Sequence, residues 1–141
     1  MNNVAQPTVI VKDSGFSDED WSAGFAQPDL HAANCVSGID LGSDADPSTL
    51  GQYLSAPAIR IGFPSFADGR GFTLARRLRL MGYTGRLRAR GHVIADQYAM
   101  ARRAGFDEVE IDADLAERQP QDQWLARAAW TRHDYQSRLR S

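Results

Sequence analysis

From residue 36 onward the chain alternates short apolar, β-branched runs with runs of helical period four times, and glycine or proline marks most changes. That alternation constrains the fold more than any other feature. Strands joined through short links and single helices pack as successive βα crossovers on a parallel sheet. Val36 to Leu41 is predicted as the first strand of the series. Asp46-Pro47 then supplies an N-cap and a first-turn proline for a short helix ending near Tyr53-Leu54. Ala58 to Phe63, bracketed by Pro57 and Pro64, is a second strand. The next helix is predicted over Phe72 to Met81, with Leu74, Leu78 and Met81 on one face and Gly82 as its stop. Arg86 to Arg90 and Asp107 to Ile111 supply the last two strands, separated by a helix from Val93 to Ala104 that Gly105 closes. Pro120 opens a final helix reaching about Leu139, with Trp124, Leu125, Ala128 and Ala129 inward.

The fold class is therefore α/β: four successive βα units forming a small parallel sheet or half of a (βα) barrel. Residues 1–35 form an N-terminal region with one strand, Thr8 to Val11, broken by Asp13-Ser14-Gly15 and followed by an irregular or weakly helical stretch. Residues 36–141 hold the α/β domain, and the whole is expected to be one compact unit, since 141 residues suit a single core. No apolar run is long enough to cross a bilayer, and Met1 to Pro7 lacks a secretory pattern. The single cysteine, Cys35, excludes an internal disulfide and fits a reducing compartment, so a cytoplasmic address is expected.

Charge is distributed unevenly. Residues 1–59 carry one base against eight acids, residues 60–103 carry ten arginines against Asp68 and Asp96, and residues 104–141 carry five arginines against eight acids. A basic middle between acidic flanks attracts anions or docks on an acidic surface. The plainer alternative is that single arginines solvate helix faces and pair with the flanks.

In a parallel sheet, ligands gather beyond the carboxyl ends of the strands. Here those ends carry Asp68-Gly69-Arg70-Gly71, Arg90-Gly91-His92 and Asp112-Ala113-Asp114. Glycines permit close backbone approach and helix N-termini offer free N–H groups, so a phosphate, sulfate, sulfite or carboxylate suits such a rim. A turn with Asp68 capping the next helix is the competing reading of the first loop. Arg88 and Arg90 lie on one face of their strand and are expected to converge with Arg70. Asp96 and Gln97, one turn into the next helix, can point back to the same rim. His92 is the candidate acid–base group, imidazole being the side chain suited to that work near neutral pH. Neither a metal site nor a cofactor is expected: Cys35 has no nearby histidine or second cysteine, and one cysteine cannot ligate an ordinary iron–sulfur cluster.

The run Phe63-Pro64-Ser65-Phe66-Ala67-Asp68-Gly69-Arg70-Gly71-Phe72-Thr73-Leu74-Ala75-Arg76 is the most individual in the chain. With Gly82-Tyr83-Thr84-Gly85, Leu87-Arg88-Ala89, Asp96-Gln97, Arg102 to Asp107 and Asp134-Tyr135-Gln136, it resembles domain of unknown function family 934 over about residues 36–136. These are small bacterial proteins usually encoded beside sulfite reductase and labelled oxidoreductases of sulfite reduction from that neighbourhood. The chain departs from the family pattern at His92, where an aspartate is usual, and at Ala104, where a cysteine is frequent. The resemblance implies an accessory protein of sulfite reduction or sulfate assimilation. It would bind a small oxyanion, a phosphorylated ligand or an acidic partner, such as sulfite reductase or another sulfur-assimilation enzyme, through the arginine rim. The alternative is a small enzyme acting on an anionic substrate through His92. A homodimer is expected because an open sheet leaves edges or one side uncovered. Membrane and nucleic-acid partners are not expected, the latter because recognition motifs and interleaved aromatics are missing.

Overall fold

The computed structural model describes residues 8–27 and 37–128 and contains seven strands. In chain order these are β1 (Thr8–Lys12), β2 (Gly15–Ser17), β3 (Phe25–Ala26), β4 (Gly38–Leu41), β5 (Ala58–Phe63), β6 (Arg86–Gly91) and β7 (Glu108–Asp112). They form one mixed sheet in the order β2-β1-β7-β6-β5-β4-β3. Strands β3 to β7 run parallel to one another, whereas β1 is antiparallel to both β7 and β2. The four strands expected from residue 36 onward thus lie side by side, and the N-terminal strand closes against the last of them rather than standing apart. The irregular N-terminal stretch contributes β2 and β3, too short to announce themselves by periodicity.

A 3₁₀ helix (Pro47–Tyr53) links β4 to β5, started by Asp46, whose carboxylate accepts from the Ser48 N–H. Helix α1 (Arg70–Leu80) links β5 to β6. It begins two residues earlier than its apolar period suggests. It ends where Gly82 takes φ 100°, and the N–H groups of Gly82 and Tyr83 return to the carbonyls of Arg79 and Leu78, both at 3.0 Å. The next link is split into a 3₁₀ turn (Ala95–Gln97) and α2 (Tyr98–Ala104), so the expected helix starts later than Val93. After β7 come α3 (Ala113–Arg118), capped by Asp112 on the Leu115 N–H, and α4 (Gln121–Leu125). Sequence reading missed α3, taking its first turn as an acidic strand end. The last helix ends at Leu125 instead of running on toward Leu139: residues 126–128 form a turn, Leu125 is exposed rather than inward, and residues 129–139 lie outside the described residues.

Each central strand buries both faces, by different means. Leu87 and Ala89 of β6, Ile59 and Ile61 of β5, and Val109 and Ile111 of β7 meet Leu74, Ala75 and Leu78 of α1 and Ala101 of α2 in one apolar core. Full burial of a leucine or isoleucine there contributes about 1.5–3 kcal/mol. Phe63, Phe72 and Phe106 cluster within it, Phe63 lying 4.9 Å from Phe72 and 5.8 Å from Phe106 between ring centres. Trp124 of α4 closes one end, its ring edge-on to Tyr98.

The opposite face is ionic. Register sets Arg60 beside Arg88 and Arg88 beside Glu108, so like charges adjoin across β5 and β6. Glu110 resolves the conflict: its Oε1 accepts from Arg60 at 3.0 Å and from Arg88 at 2.9 Å, while Asp40 grips the far side of Arg60 at 2.8 and 2.6 Å. Glu108 receives both Arg86 and Arg88. Residues 18–24 form a strap across this face. Glu19 takes Arg88 in a two-pronged contact at 2.7 and 2.6 Å, and Asp20 pairs with Lys12 and Arg86. The Phe25 ring lies 4.3 Å from the Arg60 guanidinium, a cation–π contact.

Candidate functional site

A cleft of about 650 Å³ opens beyond the carboxyl ends of the parallel strands. Three segments shape it. The turn after β4 brings Gly42, Ser43 and Asp44; the end of β5 brings Phe63 and Pro64; the end of β6 brings Arg90, Gly91 and His92. Glu110 and Asp112 of β7 and Thr8 of β1 form the far wall, and Arg70 enters from the start of α1. Gly91 is required there twice over. Its φ of 113° suits glycine, and a Cβ would stand 2.7 Å from the Phe63 carbonyl oxygen.

Arg70 is tied down. Its Nε and Nη2 donate to the two oxygens of Asp68 at 3.0 and 2.8 Å, and Nη2 also reaches Ser43 Oγ at 3.2 Å. Asp68 further accepts from Ser43 Oγ–H and from the Arg70 N–H. These donors, Arg70 foremost, hold its carboxyl well below the usual carboxylate range. Asp68 thus stands just before α1, its carboxylate taking the N–H of the helix's first residue. Of its two glycines, Gly71 lets the Phe63 ring lie where a Cβ would be 2.5 Å away, whereas Gly69 has open space around it and φ −89°.

Arg90 is different. Its side chain is 53% exposed, and its one ion pair among the described residues is Nε to Glu110 Oε2 at 3.4 Å. That leaves both terminal nitrogens without a hydrogen bond among the described residues. His92 is exposed beside it, with Nδ1 3.2 Å from the Phe63 carbonyl and the ring edge-on to Phe66 at 5.2 Å. A carbonyl only accepts, so the proton belongs on Nδ1 and Nε2 is the nitrogen available to a ligand.

Arg70, Arg90 and His92 are thus brought together, and Arg88 is not. The alternation of Arg86, Arg88 and Arg90 suggests a face turned to water or ligand, yet the Arg88 side chain is 1% exposed and held by Glu19, Glu108 and Glu110. Burial opposes its charge, but the three carboxylates outweigh burial and raise its pKa. The expected convergence of three arginines is corrected to two. Asp96 points away to Arg127, at 2.7 Å. Gln97 braces the loop instead, accepting from the Ile94 N–H and donating to the Phe66 carbonyl.

Sequence reading missed Ser43 and Glu110. Glu108 and Glu110 alternate with Val109 and Ile111 in step with the arginines of β6, a cross-strand charge match that could have revealed the pairing. Among the described residues, no helix is long and apolar enough to cross a membrane, and no cluster of three or more histidine, cysteine, aspartate or glutamate side chains is placed to hold a metal. Neither the curated proteins nor the solved structures contain a match to the chain. The family model described as "Bacterial protein of unknown function (DUF934)" matches residues 38–141, most of the chain, which therefore belongs to that family.

Proposed function

We propose that the protein is an accessory factor of sulfite reduction or sulfate assimilation that binds a small oxyanion or phosphorylated ligand in the cleft beyond the strand ends. The observation that carries the binding is Arg90: a half-exposed guanidinium with unengaged terminal nitrogens, facing a cleft that also holds His92 and Arg70. The acids on the far wall are largely committed. Glu110 serves Arg60 and Arg88, and Asp112 caps α3. A ligand oxygen at Arg90 would gain a charge-assisted contact of about 1.5–3 kcal/mol. The link to sulfur metabolism rests on the family resemblance alone.

The second reading is a small acid–base enzyme on an anionic substrate. It is favoured by His92 lining the same cleft with no hydrogen bond to Nε2 among the described residues. Titration calorimetry with sulfite, sulfate and phosphate separates the two. Arg90→Ala should weaken binding at least tenfold, about 1.4 kcal/mol, and His92→Ala should leave it nearly intact. Equal losses at Arg90 and at the exposed helix residue Arg77 would reduce the cleft to a charged surface, and sinks the binding proposal. We also propose a symmetric homodimer using one open edge of the sheet; sedimentation as a monomer at high concentration removes that proposal.

A further inference from the structure

On the helical layer, sharing no lining residue with the cleft, α1 and α2 leave a groove of about 340 Å³. Phe72, Thr73 and Arg76 form one wall, and Met100, Arg103 and Ala104 the other. Met100 is 53% exposed, and Leu80, one helical turn beyond Arg76, is 80% exposed. Arg76 and Arg103 are exposed, and neither meets a carboxylate among the described residues. Among the described residues Arg77 and Arg118 share that state, but neither lines this groove. All four arginines on the strands are ion-paired, as are Arg79 and Arg102 at the ends of these same helices.

Two unpaired guanidinium groups flanking exposed apolar side chains are complementary to a peptide, since an inorganic anion has no use for Met100 or Leu80. The chain's own remaining segments are not acidic enough in balance to be the natural complement of this groove. Residues 129–141 hold three arginines against one aspartate, residues 28–36 hold only Asp29, and residues 1–7 hold no charged side chain.

We propose that the α1–α2 groove docks an acidic segment of a partner protein, an apolar side chain settling on Met100 while flanking carboxylates reach Arg76 and Arg103. Charge pairs at an exposed rim steer the encounter, and the apolar anchor adds residence time.

The probe is a short fluorescein-labelled peptide of glutamates interrupted by two leucines, read by anisotropy against the full chain. It should bind saturably. Arg76→Glu and Arg103→Glu should each weaken it at least tenfold, and Met100→Ser several-fold, while Arg90→Ala and Arg118→Glu leave it unchanged. Because Arg90→Ala removes the proposed oxyanion contact, failure of the cleft reading and failure of this one are distinguishable. Thermal melts of the groove variants should match the parent, since both arginines are exposed. The proposal is overturned by no saturable binding, by undiminished binding to Arg76→Glu and Arg103→Glu, by equal affinity for the peptide with serine replacing leucine, or by equal displacement by a single-stranded oligonucleotide. Self-association abolished by Arg76→Glu in sedimentation equilibrium would assign the groove to a second copy, whose exposed Asp114, Glu117 and Asp122 could fill it, and would equally overturn the proposal.

Discussion

The two faces of the sheet bury their side chains equally well and by opposite chemistry. On the helical face, Leu87 and Ala89 pack against leucines, alanines and aromatic rings, and any side chain of the right volume would serve. One residue along, on the other face, Arg88 is as deeply buried, but only Glu19, Glu108 and Glu110 in specific positions make that tolerable. Desolvating such a cluster costs about as much as its attractions return, so its benefit lies in what it forbids: a one-residue slip of β6 would turn its arginines toward the apolar core. The apolar face supplies stability and the ionic face supplies uniqueness.

Breaking the ionic face should give the largest effect. Arg88→Ala leaves two buried glutamates facing each other's field and should cost about 3–5 kcal/mol in chemical denaturation. Leu87→Ala should cost about 2–5 kcal/mol. The rescue pattern separates the faces. Leu87→Met should recover most of the loss, whereas Arg88→Lys should recover little, because a point charge cannot serve three carboxylates as a guanidinium fork does. Full rescue by lysine would show the face to be a diffuse charge field.

A smaller effect tests the boundary between core and cleft. Gly71→Ala pushes a methyl into the Phe63 ring and should cost about 1–3 kcal/mol, while Gly69→Ala, with free space around it, should be nearly silent in a thermal melt. Equal losses at both would mean that the loop, not the ring contact, sets the demand.

The smallest effect is that of acidity. Arg88 foremost holds the Glu19 carboxyl below its ordinary 4.5, and Lys12 then Arg86 hold Asp20 below its ordinary 3.8. Groups depressed in the folded state contribute stability above their unfolded pKa and lose it as pH falls through the folded one. Melting temperature should therefore be level from neutrality to about pH 5 and decline below it, with amide exchange in residues 18–24 rising first. Glu19→Gln should flatten part of that decline. A strap whose exchange ignores acid would not be held by these pairs.

The apolar face was legible in advance because period and punctuation report it directly: Ala58–Phe63 between two prolines, and helices ended by Gly82 and Gly105, both at positive φ. The ionic face was half legible. Alternating arginines announced a polar side to β6, but what covers that side comes from Glu19 and Asp20, more than sixty residues away in sequence. No local pattern reports such a pairing. The candidate site was legible where it follows topology, at Arg90 and His92 beyond a strand end. It misled at Arg88, whose position two residues back along the same face puts it under the strap rather than in the cleft. Asp96 and Gln97 misled for another reason: the 3₁₀ turn before α2 rotates them off the expected helical phase.

Arg79 joins parts of the chain that no strand pairing connects. From α1 it donates to the carbonyls of Tyr83, Gly85 and Gly105 and to the Asp107 carboxylate, and Asp107 in turn accepts from the Leu87 N–H. All of these lie where β6 and β7 begin, at the end of the sheet opposite the cleft. One side chain thus rivets the entrances of two strands, while the loops at their exits share no part of that fastening. A molecule arranged this way has its fastening and its cleft at opposite ends of the sheet. Substitutions around the opening, at positions such as His92, therefore leave that fastening untouched.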